Sequence, residues 1–132
     1  MASFISSLSP DSDALAIFVN EKYEYKDKRG ILSKNFIQKI NSFLRVLKAK
    51  NQNEEIYSFD ISDKQKCFFV KIKNKHESFF PEEIGGRFFS YVKKVKNLNK
   101  IDLYIDSLDL DKKKLVDFFS EFCLGFNLKS YT

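Results

Sequence analysis

The sequence predicts an α/β fold in which a mixed central sheet lies between helices, a three-layer αβα arrangement. Segments with strand and helix patterns alternate along the 132 residues in the order β-β-α-β-β-α-β-α, which is typical of a sheet with helices on both sides. Two strand segments, 14–19 and 67–70, are apolar throughout, as expected for strands buried on both faces. The hydrophobic fraction of 43% and the 15 Phe residues supply enough core material for one domain.

The first half of the chain contains two predicted strands and a helix. Residues 4–5 and 14–19 have strand composition, and the polar, charged residues 23–30 form the connection that follows them. Residues 31–48 are predicted to be a helix because apolar side chains recur every three or four positions, with Ser33 as the N-cap. The apolar stripe of this helix consists of Phe36, Ile37, Ile40, Phe43, Leu44 and Leu47.

Three more strands are predicted further along the chain. Residues 56–61 and 67–72 are joined by a short turn around Asp63, and the apolar centre of 67–72 places that strand inside the sheet. Residues 101–105 form the last strand because apolar and polar side chains alternate there. The alternating pairs are Ile101 with Asp102, Leu103 with Tyr104, and Ile105 with Asp106.

The middle helix is predicted to begin at Pro81, where the missing backbone N–H of proline costs nothing. Glu82 and Glu83 follow in the first turn, where the helix dipole favours negative charge. Gly85 and Gly86 lie inside this helix, and because each costs about 1 kcal/mol relative to alanine, we expect them to allow close approach of another element. The buried face consists of Ile84, Phe88, Val92 and Val95.

The last predicted helix is capped by Asp109 or Asp111. Its inner side consists of Leu115, Phe118, Phe119, Phe122 and Phe126. Residues 124–132 then leave the helix and stop without a tapering tail, so we expect a second domain to follow Thr132. No upstream residues form a catalytic set, and we therefore expect the chemistry of the whole protein to lie in that second domain.

The charge balance favours an anionic partner only weakly. The net charge is +5, from 23 basic and 18 acidic residues, which makes a nucleic-acid-binding module one possible function. However, only three of the basic residues, Arg29, Arg45 and Arg87, are arginines, and arginine is the residue that makes forked contacts with phosphate. We therefore favour a lysine-rich solvated surface as the explanation of the charge.

The sequence predicts a cytoplasmic protein without a membrane partner. Its longest apolar runs are far too short to span a bilayer. The N-terminus lacks the basic start and apolar run of a secretory signal. The two cysteines, Cys67 and Cys123, are widely separated and form neither a disulfide framework nor a CxxC pair, which fits a reducing compartment.

The residue types that usually carry chemistry are assigned structural or solvated roles. His76 is the only histidine and lies in a polar loop, too isolated for a zinc site. Cys67 and Cys123 are expected to be buried structural thiols, since neither has a basic neighbourhood. The basic run 112–114 is expected to be a solvated helix start. The sequence contains no glycine-rich phosphate loop of the GxGxxG or Walker type.

Four aspartates in the last third of the chain could suggest a divalent-cation site. Asp102 and Asp106 lie on the alternate face of a predicted strand, and Asp109 and Asp111 lead into a helix. We therefore expect the first two to keep a sheet edge soluble and the second two to act in N-capping.

Taken together, the order of elements and four segments resemble the leucyl aminopeptidase (cytosol aminopeptidase) family. Residues 125–131 have the form G-x-x-L-x-x-Y, which is similar to the hinge of that family before its catalytic domain. Residues 67–72 resemble the strand before the family's middle helix, and residues 81–89 resemble that helix. Gly30 and the helix after it also occupy the position of the family's first helix. The family's Gly-x-Gly step is replaced here by the polar residues 73–75.

This resemblance implies that residues 1–132 form a single macro-domain-like α/β domain, the N-terminal part of a longer two-domain protein. The parent enzyme would be a hexameric metallopeptidase that removes N-terminal residues from peptides. Its two divalent metals, zinc or manganese, and its catalytic groups would belong to a C-terminal domain that this sequence lacks. The resemblance therefore assigns no catalytic, cofactor-binding or metal residue within 1–132.

Three functions follow as hypotheses. The first is a non-catalytic assembly or regulatory domain of such an aminopeptidase, which should fold alone and show no peptidase activity. The second is a nucleic-acid-binding module. The third is a macro-type binder of nucleotide metabolites such as ADP-ribose, which the missing glycine-rich loops argue against, so that calorimetry with ADP-ribose is expected to show no heat.

Overall fold

The computed structural model describes residues 2–4, 12–27, 30, 32–50, 54–72, 80–95, 98, 100–104, 107–108 and 111–130. The chain divides into two compact units. Met1–Lys73 and Asn99–Asp109 form the first, called here the sheet unit. Asn74–Leu98 and Leu110–Thr132 form the second, called here the helix unit.

The sheet unit contains a mixed five-stranded sheet. Its strands are β1 (Ala2–Phe4), β2 (Ala14–Val19), β3 (Ile56–Asp60), β4 (Lys66–Lys71) and β5 (Ile101–Tyr104). Their order across the sheet is β1-β5-β2-β4-β3. The first four in this order are parallel, whereas β3 pairs antiparallel with β4. The predicted mixed sheet is confirmed, and so is the position of the predicted strand 67–72 inside it.

Burial explains why the two continuous apolar runs form strands. All six residues of β2 are buried, and only the first residue of β4, Lys66, is partly exposed. These two strands are neighbours over their whole length, from Ala14 opposite Lys66 to Val19 opposite Lys71. Since consecutive residues point to opposite faces and are buried on both, alternation with polar residues would place polar groups in the core.

The prediction for Asp102 is wrong. It was expected to keep a sheet edge soluble, but β5 lies between β1 and β2, and all four of its residues are buried. Asp102 is opposite Ser3 on one side and Leu15 on the other, and it has no solvent exposure. Alternating polarity indicates a solvated face only when one face of the strand meets water, and neither face of β5 does. Asp106 lies outside the described residues.

Helix α1 (Lys34–Ala49) completes the core of the sheet unit. It begins three residues later than predicted, with Ser33 as the expected N-cap accepting a hydrogen bond from the Phe36 amide at 3.2 Å. Leu32 is buried although it precedes the helix. The core joins the apolar side of α1 to one face of the sheet. It includes Leu15, Ile17, Val19, Tyr23, Leu32, Ile40, Leu44, Leu47, Tyr57, Ile61, Cys67, Phe69 and Tyr104.

The helix unit contains α2 (Phe80–Val92) and α3 (Lys112–Ser130). Asp111 caps α3, because its Oδ1 accepts a hydrogen bond from the Lys114 amide at 2.9 Å, as one of the two predicted caps. The other, Asp109, lies outside the described residues. Most of the predicted inner-face residues are buried, namely Ile84, Phe88, Val92, Leu115, Phe119, Phe122 and Phe126. The prediction is wrong for Val95, which lies after the end of α2 and is only partly buried, and Phe118 is also only partly buried.

Glycines set the distance between α2 and α3. A Cβ atom on Gly85 would overlap the Phe122 carbonyl, and one on Gly125 would overlap the Glu82 carbonyl. The expected role in close packing is therefore confirmed for Gly85 but not for Gly86, where a Cβ atom would lie 3.6 Å from the nearest atom, the Gly125 carbonyl oxygen. Gly125 was expected to open a hinge, but α3 continues to Ser130, so this glycine serves a helix crossing instead. The described part of the G-x-x-L-x-x-Y segment is helical throughout.

Candidate functional site

The carboxyl ends of the parallel strands meet at one edge of the sheet, called here the carboxyl edge. In open α/β sheets this edge is where ligands bind. Within the sheet unit, β2, β4 and β5 reach it at Val19, Lys71 and Tyr104. The antiparallel β3 begins there, with Ile56 opposite Val70. The residues that follow β2, 20–27, therefore start at the position where a ligand is expected.

A tight turn directly after β2 places Tyr23 at this edge. The Asn20 carbonyl accepts a hydrogen bond from the Tyr23 amide at 3.0 Å. The side-chain oxygen of Asn20 accepts from the Lys22 and Glu24 amides, both at 2.9 Å. These bonds hold Tyr23 at a φ of 60°, in the left-handed region, which costs a residue other than glycine roughly 1–3 kcal/mol.

Tyr23 forms one wall of a surface groove with a volume of about 350 Å³, at the small end of the range of ligand pockets. The groove is lined by Tyr23, Glu24, Tyr25, Asn41, Leu44, Arg45 and Lys48. Arg45 and Lys48 are exposed and lie three residues apart on α1, so the helix period brings both to one side. Tyr25 donates a hydrogen bond to the side-chain oxygen of Asn41 at 3.2 Å.

The charges of the groove favour an anion. Its two cations are accompanied by one carboxylate, Glu24, which accepts a hydrogen bond from the Asn20 amide nitrogen at 3.0 Å. Burial raises the pKa of Tyr25, and the nearby Asp27 and Cys67 raise it further. Tyr25 therefore remains a neutral phenol at physiological pH and presents an aromatic ring and a hydroxyl rather than another negative charge.

Behind the groove wall lies a cluster of Tyr23, Tyr57 and Lys71, called here the Lys71 cluster. The Lys71 ammonium is 3.4 Å from the Tyr23 hydroxyl and 5.1 Å from the centre of the same ring. The Tyr23 and Tyr57 hydroxyls are 3.5 Å apart, and the Glu54 amide donates to Tyr57 at 2.8 Å. Burial, together with the hydrogen bond to Tyr23, raises the pKa of Tyr57 to about 12.

Hydrogen bonds fasten the rest of segment 20–27 to the ends of β2 and β5. Tyr104 donates to a carboxylate oxygen of Asp27 at 2.5 Å. The buried Ser107 hydroxyl accepts from the Phe18 amide at 2.9 Å and donates to the Tyr104 carbonyl at 2.5 Å. The Lys26 amide donates to the Ser107 carbonyl at 2.9 Å. The groove wall is therefore part of a hydrogen-bonded frame rather than an independent loop.

Neither cysteine lines this groove, and neither do Lys113 and Lys114. Burial raises the pKa of the Cys67 thiol well above its usual value and also raises that of the half-buried Cys123. Both are therefore protonated at neutral pH. The expected burial is confirmed for Cys67, whereas Cys123 is only half-buried. Lys113 and Lys114 are exposed, as expected for a solvated helix start. His76 lies outside the described residues.

Two further properties apply to the described part of the chain. No three side chains of the His, Cys, Asp or Glu types come together there as they would around a metal ion. In the same residues, no helix is long and apolar enough to cross a membrane.

Sequence reasoning missed the residues that form the groove. It treated 23–30 as a connection and considered Arg45 only as part of the charge count. One local signal was present, because tyrosines and charged residues alternate from Tyr23 to Lys26 directly after a fully apolar strand. A second was the pair of cations at Arg45 and Lys48 on the polar side of a predicted helix. Neither signal shows that the two segments meet.

Comparisons with known proteins support the fold. No protein-family model matches the chain, and no curated protein matches its sequence. Among solved structures, the macrodomain of Thermus aquaticus DarG is similar, with a TM-score of 0.66 and 13% identity, over 96% of this chain and 91% of that chain. At this identity the similarity shows the fold alone, and the predicted macro-domain-like α/β fold is confirmed.

The comparisons give no support for the assignment to a leucyl aminopeptidase N-terminal domain. Its main local motif was the G-x-x-L-x-x-Y segment, and Gly125 in that segment is already explained by its contact with Glu82. The features shared with a macrodomain are the α/β architecture and the mixed sheet.

Proposed function

We propose that this protein binds a nucleotide metabolite of the ADP-ribose class in the groove between segment 20–27 and α1. The observation that carries the proposal is the meeting of two tyrosines with Arg45 and Lys48 in one groove at the carboxyl edge. A nucleotide metabolite presents flat rings, hydroxyls and phosphates, which match these three kinds of side chain. The macrodomain-like fold supports the same class of ligand.

Each kind of groove residue is suited to a different part of the ligand. Arg45 offers a planar guanidinium that contacts two phosphate oxygens at once, and Lys48 adds a point charge beside it. Tyr25 offers aromatic surface for a base or sugar, and the small part of the buried Tyr23 side chain that reaches the groove adds to it. Asn41 and Glu24 are suited to accept hydrogen bonds from ligand hydroxyl or amino groups.

Side-chain cations take the place of a glycine-rich loop in this proposal. Backbone N–H groups cradle phosphate where glycines let the chain bend around it, and such a loop is missing from the sequence. The expectation that ADP-ribose gives no heat depended on that absence alone. Because Arg45 and Lys48 can neutralise phosphate directly, we now expect binding.

Calorimetry with ADP-ribose tests the proposal. The unmodified protein should bind, and Arg45→Gln should weaken binding about 10-fold or more, since a hydrogen bond to a charged group contributes roughly 1.5–3 kcal/mol. Lys48→Gln should have a smaller effect in the same direction. Arg87→Gln is the matched control, because Arg87 is an exposed arginine on α2, next to Glu83 at 3.7 Å, and does not line the groove.

Three results would overturn the proposal. The first is no heat from ADP-ribose with the unmodified protein. The second is equal weakening by Arg45→Gln and Arg87→Gln, which would indicate a general charge effect. The third is binding of a single-stranded oligonucleotide that falls steeply with salt while ADP-ribose does not bind, which would favour the nucleic-acid alternative.

The role as a non-catalytic domain of a leucyl aminopeptidase-like enzyme remains a prediction from the sequence pattern. The hexamer, the two divalent metals of a partner domain and the cytoplasmic location belong to the same prediction. Co-purification with a metallopeptidase domain supplied in trans would support it, and failure of the two to associate would remove its assembly role.

A further inference from the structure

We propose that Lys71 is a positioning residue for the groove and that it acts through Tyr23. This inference rests on the proposed function, because it assigns the part of Tyr23 that reaches the groove as a contact of the nucleotide, although Tyr23 is only 8% exposed. Lys71 lies on β4 and is 8% exposed, whereas the ligand is expected on the groove side of Tyr23.

Two energetically unfavourable features meet at Tyr23. Its backbone has a left-handed conformation that a bulky side chain rarely adopts, and its ring and hydroxyl lie beside a buried ammonium group. The left-handed backbone and the burial of the ammonium each disfavour the folded state, and the contacts of the ammonium with Tyr23 offset part of the second cost. Unfavourable conformations persist where the surrounding structure imposes them, and they concentrate at binding sites.

The contacts of Lys71 show what it does for Tyr23. An ammonium has three donors, and its side-chain hydrogen bond within the described residues goes to the Tyr23 hydroxyl. In that same part of the chain no carboxylate pairs with Lys71. Its position beside the ring face adds a cation–π attraction. Both interactions act on Tyr23, so together they restrict the ring's position and orientation.

A purely structural role would not require a lysine. Methionine has a similar length, fills the same space and avoids the desolvation of a charge, so replacement of a buried charge by an apolar side chain is often neutral or stabilising. Lys71→Met should therefore leave the unfolding free energy unchanged or raised. If Lys71 positions Tyr23, the same substitution should weaken ADP-ribose binding about 3- to 10-fold.

A double-mutant cycle separates action through Tyr23 from independent action. ADP-ribose affinity is measured for the unmodified protein, Lys71→Met, Tyr23→Leu and the double variant. The double variant should bind no more weakly than Tyr23→Leu, within about 2-fold. If Lys71→Met keeps its full effect in the Tyr23→Leu background, the proposal is overturned. Lys66→Met is the control on the same strand, since Lys66 pairs with Asp60 at 2.7 Å, and its affinity should equal that of the unmodified protein.

A measurement without ligand keeps the inference testable if ADP-ribose does not bind. In protein labelled at the tyrosine ring carbons, NMR resonances of Tyr23 should move in Lys71→Met and stay in place in Lys66→Met. If ADP-ribose does not bind but the Tyr23 resonances move in Lys71→Met, the proposed function is wrong and the positioning of Tyr23 by Lys71 still holds. Unmoved Tyr23 resonances in both variants would remove the positioning role itself.

Discussion

Helices α2 and α3 cross at glycines, whereas segment 20–27 is held by side-chain hydrogen bonds around a tyrosine with a left-handed backbone. In the helix pair, the residues at the crossing stabilise the folded state. Small residues stand where the backbones approach, and aromatic rings such as Phe89 and Phe126, 5.1 Å apart, pack beside them. Segment 20–27 and the Lys71 cluster instead contain a strained residue, Tyr23, and a buried charge, that of Lys71. Packing therefore explains the first region, and the proposed ligand binding is our explanation for the second.

The largest effect is expected from filling the helix crossing. Gly85→Ala or Gly125→Ala should lower the unfolding free energy by about 3 kcal/mol, because the new Cβ overlaps a backbone carbonyl that cannot rotate away. Gly86→Ala is the matched control, since its nearest neighbour would be 3.6 Å away, and it should stay within about 1 kcal/mol of the unmodified protein. Denaturant unfolding measures all three. If all three substitutions lower the unfolding free energy equally, Gly85 and Gly125 do not set the distance between the two helices.

An intermediate effect is expected in the hydrogen-bonded frame of the groove. Ser107→Ala should cost about 2 kcal/mol, because it removes two buried hydrogen bonds, one accepted from the Phe18 amide and one donated to the Tyr104 carbonyl. Ser130→Ala removes an exposed hydroxyl that donates to the Asn127 carbonyl at 2.6 Å and should change stability by less than about 0.5 kcal/mol. Urea unfolding compares the two, and hydrogen exchange at Phe18 should speed up in Ser107→Ala alone. If Ser107→Ala and Ser130→Ala lower the unfolding free energy equally, the hydrogen bonds of Ser107 contribute nothing specific to stability.

The smallest effect is expected in the pH dependence of the Lys71 cluster. Burial raises the pKa of Tyr57 from 10.0 to about 12, so between these values the unfolded chain loses this proton while the folded protein keeps it. The contribution of Tyr57 is therefore complete below pH 10 and is lost as pH rises towards 12. Unfolding measured across this range should show a shallower decline in Tyr57→Phe than in the unmodified protein. Parallel declines would contradict the assignment.

Local patterns predicted most elements because their causes are local. The bounds of β2 were predicted without error, since a continuous apolar run between polar turns has few alternatives. Ser33 was identified as a cap because capping depends on residues three positions apart. The predicted start of α1 was early because Leu32 is buried without being helical, and apolar periodicity reports burial rather than backbone conformation.

The sequence by itself determined the type and order of the elements, the inner faces of the helices and the need for close packing at Gly85. Only the tertiary structure decided that Asp102 is central, that Gly125 belongs to a crossing and that tyrosines meet cations at the carboxyl edge. The physical reason is the distance along the chain between the partners. Tyr23 and Lys71 are 48 residues apart, and their contact exists only because β2 and β4 pair in parallel and end at the same edge.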